Sequence, residues 1–202
     1  KYAETRSAPR YNVTDSPGRW VPTPPAYASA MEPHWNEIRP MVMSSASQFI
    51  PPPPFQFNMT DKNSPYYKQV IAVKNAVDSL NDEQKHIAEF WDDLGGKLNV
   101  TGHIMFVTKK FSPPGHWMNI VGIAAQKAKA DFKKTVAAYT LTSICMFDSF
   151  IQCWDEKFRH NTIRPETVIN KYLDQDWRPY LQTPPFPEYT CGHSTVSSAS
   201  AE

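Results

Sequence analysis

The sequence predicts a mainly α-helical bundle with Pro-rich connections, and three observations carry that prediction. Apolar residues recur at near-helical spacing from about residue 64 onward. Strand-type alternation is nearly absent. Helix start signals, including a proline in a first turn and an Asn-x-x-Gln capping box, stand where the periodic stretches begin. With 202 residues, 41% hydrophobic and 13% aromatic, the chain has enough apolar surface for one domain with a core, or for most of a larger one.

Residues 1–60 read as an extended Pro-rich arm wrapped on the body. The stretches "SPGRWVPTPPAY" and "FIPPPPFQF" show no sustained periodicity, and Trp20, Tyr27, Trp35, Phe49, Phe55 and Phe57 are costly to leave in water. Residues 61–202 form the helical unit. Its first helix runs through "SPYYKQVIAVKNAVDSL", with Pro65 in the first turn and Tyr67, Ile71 and Val77 at helical spacing. Asn81 with Gln84 opens the second helix, which Gly95 and Gly96 end. After "FSPPG" comes a third from about His116, then a long one from about Asp131 to Thr162 with Phe132, Val136, Tyr139, Ile144, Phe147, Ile151, Trp154 and Phe158 inward. A last helix opens at Ser194 and carries no stop signal before Glu202, which predicts a bundle that continues beyond this sequence.

Formal net charge is +1, from 21 basic and 20 acidic residues, so no global field favours nucleic acid or an anionic membrane. Any anion site must be local. No uninterrupted apolar run approaches the roughly 18 residues of a membrane span, so a soluble, non-spanning protein is expected. Cys145 and Cys153 lie eight apart in one helix, too far along its axis for a disulfide, and Cys191 sits in a loop, so three free thiols are expected. Neither C-x-x-C nor H-E-x-x-H occurs, which argues against a structural zinc or a zinc hydrolase.

The stretch "DEKFRHNTIRPETV" places Lys157 and Arg164 seven positions apart. At about 100° per residue that step returns to within roughly 20° of the same direction, which predicts two cations on one helix face with an anion between them. Pro165 pushes Arg164 toward an extended conformation and ends the helix. A planar guanidinium fork plus a point cation suits a tetrahedral oxyanion, although two solvated surface cations would give the same spacing. Lys171 and Arg178-Pro179 repeat it in a segment with two aspartates and no apolar stripe, where a helix is not expected. Downstream, Gly192 permits close backbone approach, the N–H groups of the following helix make an anion cradle, and His193 can exchange a proton with a bound oxyanion. Two other Gly-His pairs, at 102–103 and 115–116, read as structural.

These residues resemble the vanadium-dependent haloperoxidase and type 2 phosphatidic acid phosphatase superfamily. Lys157, Arg164 and Pro165 match its K-x6-R-P motif, and Gly192 and His193 match the end of P-S-G-H, where Thr190 and Cys191 depart. "FDSFIQCWDEK" and "PPFPEY" look like the haloperoxidase branch. The resemblance implies a helical bundle around a phosphate or vanadate site, with residues 61–202 as the N-terminal portion of the catalytic domain. Lys157, Arg164, Cys191 and Gly192 would bind the oxyanion, His193 would be the acid-base residue, and Trp154, Phe186 and Asp148 would line or support the pocket. The family's third motif, with the histidine that ligates vanadium or attacks phosphorus, has no counterpart before Glu202 and is expected beyond it. The implied function is peroxide-dependent halide oxidation with vanadate as cofactor. The alternatives are a metal-free acid phosphatase acting on phosphomonoesters, or an inactive binding domain if the chain ends at Glu202. Export is expected, since soluble members are often exported and the chain opens without a Met. A thiol in place of the usual serine is a weaker donor and exposes the site to oxidation.

Overall fold

The computed structural model describes residues 10–201, so the first nine residues of the expected arm and Glu202 lie outside it. Residues 10–60 contain one three-residue 3-10 turn, Trp35–Glu37, and a single bridge between Arg19 and Thr162. Aromatic burial along this stretch is uneven: Trp20 is fully buried and Trp35 stacks on Phe150 at 5.5 Å, whereas Tyr27, Phe49 and Phe55 are exposed. A segment without ladders must find acceptors for its backbone elsewhere. Here the Asp148 carboxylate accepts from the N–H groups of Met41 (2.7 Å), Val42 (2.9 Å) and Met43 (2.9 Å), and Gln152 Nε2 donates to the Phe49 carbonyl at 3.0 Å.

Ser64 caps α1 (Pro65–Asp78), and Asn81 with Gln84 forms the capping box of α2 (Asp82–Phe90). Gly95 and Gly96 do not end α2, because Trp91 already caps it. Instead Gly95, at φ +81°, turns the chain into a hairpin of β1 (Gly96–Thr101) and β2 (Ile104–Lys109) around Gly102 at φ +58°. This hairpin corrects the expectation of almost no strand. Its signal, Leu98, Val100, Ile104 and Phe106 alternating about a two-residue Gly-His loop, is weak because every residue of β2 is exposed and no buried face forces a binary pattern. The Gln182 side chain anchors it, exchanging two 2.8 Å hydrogen bonds with the Leu98 backbone.

Ser112 caps α3 (Pro113–Lys127), which starts before His116 because both prolines fit the first turn. Asp131 caps α4 (Phe132–His160). α4 stops short of Thr162 because Asn161 turns left-handed at φ 51°. Pro165 therefore opens α5 (Pro165–Tyr172) and does not end α4; α6 (Gly192–Ala201) begins ahead of the expected Ser194.

The long helix α4 packs against α3, α6 and the 3-10 turn, while α1 packs against α5. Burial along α4 is confined to its C-terminal half: Phe132 and Val136, expected inward, are 82% and 46% exposed, and the buried set is Met146, Asp148, Ile151, Cys153, Trp154, Glu156 and Lys157. On length and composition alone α4 could cross a membrane, which the count of uninterrupted apolar residues missed. In α1 the inward stripe is Tyr66, Val70 and Val77, not Tyr67 and Ile71, which lie one residue, roughly 100°, around the helix. That stripe meets Ile163, Val168, Ile169 and Trp177. All three thiols are free, with Cys145 and Cys191 exposed and Cys153 buried.

Candidate oxyanion site

Lys157 is on the last turn of α4, and Arg164 is the N-cap residue of α5, extended at φ −76°, ψ 144°. They do not share a helix face, as their spacing had suggested: the Asn161 break lies between them. What unites them is Phe186, whose ring centroid lies 4.9 Å from Lys157 Nζ and 4.8 Å from the Arg164 guanidinium. Trp154 packs on the same ring at 5.1 Å and donates its Nε1–H to the Met31 carbonyl at 3.1 Å.

The two cations are employed differently. Lys157 is 1% exposed, and its ammonium donates to the carbonyls of Pro187 (3.1 Å), Glu188 (3.0 Å) and Thr190. An ammonium has three protons, so its hydrogen bonds shape the 187–190 loop and only its charge is left for an anion. Arg164 Nε donates to the Phe186 carbonyl at 2.6 Å, but its Nη2 is buried with no hydrogen-bond partner. A buried guanidinium nitrogen without an acceptor is costly unless an anion completes it. Burial, with the neighbouring Arg164 charge adding, pushes the Lys157 ammonium down to about 8; burial likewise pushes Arg164 down to about 10, against the opposing pull of Glu188.

The turn between the cations is braced from two sides. Trp20 N–H donates to the Asn161 carbonyl and Ile163 N–H to the Gly18 carbonyl, both at 3.0 Å. Thr162 accepts from Glu188 N–H through its carbonyl (3.1 Å) and from Tyr189 N–H through its hydroxyl (2.8 Å).

Lys157, Arg164, Phe186, Trp154, Cys191, Gly192 and His193 all line one cavity of about 790 Å³. Its remaining wall is largely apolar, with Trp35, Phe147 and Phe150 on one side. Gly192 is the first residue of α6, and a Cβ built on it would meet nothing within 4 Å, so its own chain leaves that side of the residue open. His193 is exposed and also borders a second hollow with Trp91, Ser194 and Ser197. Asp148, expected to line or support the pocket, does not line the cavity; it holds residues 41–43 of the arm, which do not line it either. Glu188 and Trp35 belong to the wall without having been singled out from sequence. The acid within "FPEY" was the available signal for the first; the second was marked only as an arm aromatic that should pack on the body.

A buried ammonium, a guanidinium with an unpartnered nitrogen and a helix N-terminus on one cavity are the parts from which an oxyanion site on a helical bundle is built. The family described as "VCPO second helical-bundle domain" matches residues 137–176 and 170–202. The solved structure of the first bacterial vanadium-dependent iodoperoxidase is similar over 98% of this chain, with 50% sequence identity and a TM-score of 0.86. An apo bacterial vanadium-dependent chloroperoxidase shares the fold over 94% of the chain, with 20% identity and a TM-score of 0.64. No curated protein sequence matches significantly. The chain is similar in sequence to a vanadium-dependent iodoperoxidase and in fold to both of these haloperoxidases, and it spans about half the length (47%) of each of these two structures.

Proposed function

We propose that the chain provides the oxyanion-binding half of a vanadate-dependent haloperoxidase that oxidises iodide with peroxide. The observation that carries this reading is the Arg164 guanidinium, which lines the cavity beside the N-terminus of α6 and holds a buried Nη2 without an acceptor. Vanadate fits these residues. It is a tetrahedral oxyanion that would accept from the Arg164 guanidinium and from the Gly192 N–H, within the field of Lys157. Iodide is the proposed halide because the relative with 50% identity is an iodoperoxidase.

Bound vanadate would supply the Lewis acidity that activates peroxide toward a halide. The chain's own residues hold and shield the anion. Arg164 and the N–H groups of α6 orient it, and the Lys157 charge offsets its negative charge without competing for its oxygens. Phe186 and Trp154 close the apolar side against water. His193, at the first turn of α6, is placed to give or take a proton at an oxygen of the bound anion.

The test is iodide oxidation by the full-length protein reconstituted with orthovanadate and peroxide. Vanadate-dependent turnover that inorganic phosphate inhibits competitively is the expected result. Phosphomonoester hydrolysis, inhibited by vanadate and without halide oxidation, would overturn the reading in favour of a phosphatase.

A further inference from the structure

Cys191 and Cys145 are both exposed thiols in very different surroundings. Cys145 lies on α4 and does not line the cavity; Cys191 lines it directly before α6, together with Lys157 and Arg164. A thiol at a helix N-terminus beside cations is in the setting where sulfur oxidation is site-selective. The second observation is Arg164, which lines the same cavity and whose buried Nη2 lacks an acceptor. An oxidised sulfur carries the oxygens that could provide one.

We propose that Cys191 is a peroxide-sensitive modification site whose oxidation closes the oxyanion site from within. In the first step the sulfur attacks one peroxide oxygen. The S–O bond forms as O–O breaks, the thiol proton leaves with the departing oxygen as water, sulfur is oxidised by two electrons and peroxide is reduced. A second peroxide repeats the step on the sulfenic acid, giving a sulfinate, a proton and another water. The sulfinate presents two anionic oxygens to Arg164 and to the N–H groups of α6, the donors a free oxyanion would use. Closure is reversible by thiol reductants at the sulfenic stage and not at the sulfinic one.

This inference rests on the proposed function only for its oxidant, peroxide, so the two can fail separately. Phosphate binding by the untreated protein is measured first, by calorimetry; its absence would count against the oxyanion-site reading. The purified protein is then exposed to graded peroxide, and the oxygen added at each cysteine is read by peptide mass spectrometry. Cys191 is expected to oxidise about tenfold or more faster than Cys145, to be shielded by saturating inorganic phosphate, and to take phosphate binding with it. In the Cys191→Ser protein, peroxide should leave whatever phosphate affinity remains unchanged. Oxidation of Cys145 at an equal or greater rate, or undiminished phosphate binding by protein oxidised at Cys191, would overturn the proposal, and neither result depends on a variant folding.

Discussion

Replacing Asp148 by asparagine should loosen the arm without touching the cavity wall. The carboxylate accepts from Met41 N–H on one oxygen and from Val42 and Met43 N–H on the other. Asparagine keeps one acceptor oxygen and turns an NH2 to the other side. The amide settles with its oxygen on Val42 and Met43 N–H, so one backbone N–H, that of Met41, faces a donor, costing about 1–3 kcal/mol when buried. That bond is partly buried, so the lower part of that range applies, about 1–2 kcal/mol. For a chain of this size that lowers Tm by roughly 2–8 °C. Urea unfolding gives the energy and limited proteolysis around residues 41–50 the location. A variant within about 0.5 kcal/mol of the parent, with an unchanged cleavage pattern, would refute the assignment of Asp148 as the clasp. Burial by itself would raise the Asp148 carboxyl, and the three N–H donors outweigh it and hold it below the usual carboxylate range. Its stabilising contribution is therefore present above the unfolded pKa of about 3.9 and is lost only as pH falls through the lower folded value.

Four further outcomes follow from the site and one helix cap. Sulfate, whose charge is constant across the range, should bind progressively more weakly as pH rises through about 8, where Lys157 loses its proton, while Arg164 stays charged to about 10; an affinity flat from pH 7 to 9.5, roughly the span between those two transitions, would contradict the role given to the Lys157 charge. Over the same window the unfolded chain still holds the lysine proton, so the folded state should gain stability as pH rises toward the ordinary lysine value near 10.4, read as a rising urea midpoint. Gly192→Ala meets no atom of its own chain, so Tm should hold within about 2 °C while vanadate affinity, followed by equilibrium dialysis, drops about tenfold or more as a methyl enters the oxyanion space. Asn81→Ala removes the side-chain acceptor of Gln84 N–H at 2.8 Å and should cost about 1 kcal/mol by urea denaturation.

The cap at Asn81 was legible because capping is local chemistry between residues three apart. The hairpin was not, since an exposed two-stranded ribbon places little demand on its side chains. The residues of the candidate site were legible for a partly mistaken reason. Spacing singled out Lys157 and Arg164, yet the shared helix face it suggested does not exist, and the pair converges on Phe186 across a left-handed Asn161. That all three Lys157 protons go to loop carbonyls depends on how residues 187–190 close over α4, a long-range arrangement that no local pattern encodes.

The bracing of the Asn161–Ile163 turn also has a kinetic side. Its partners come from Gly18 and Trp20 near one end of the chain and from Glu188 and Tyr189 near the other, and the Arg19 contact with the His160 carbonyl spans 141 residues. Closing loops of that length delays contacts relative to the helices, which form from neighbours. The capped helices should therefore gain hydrogen-exchange protection early in refolding, and the turn that sets the separation of the two cations late. Anion-binding competence would then be among the last properties the refolding chain acquires.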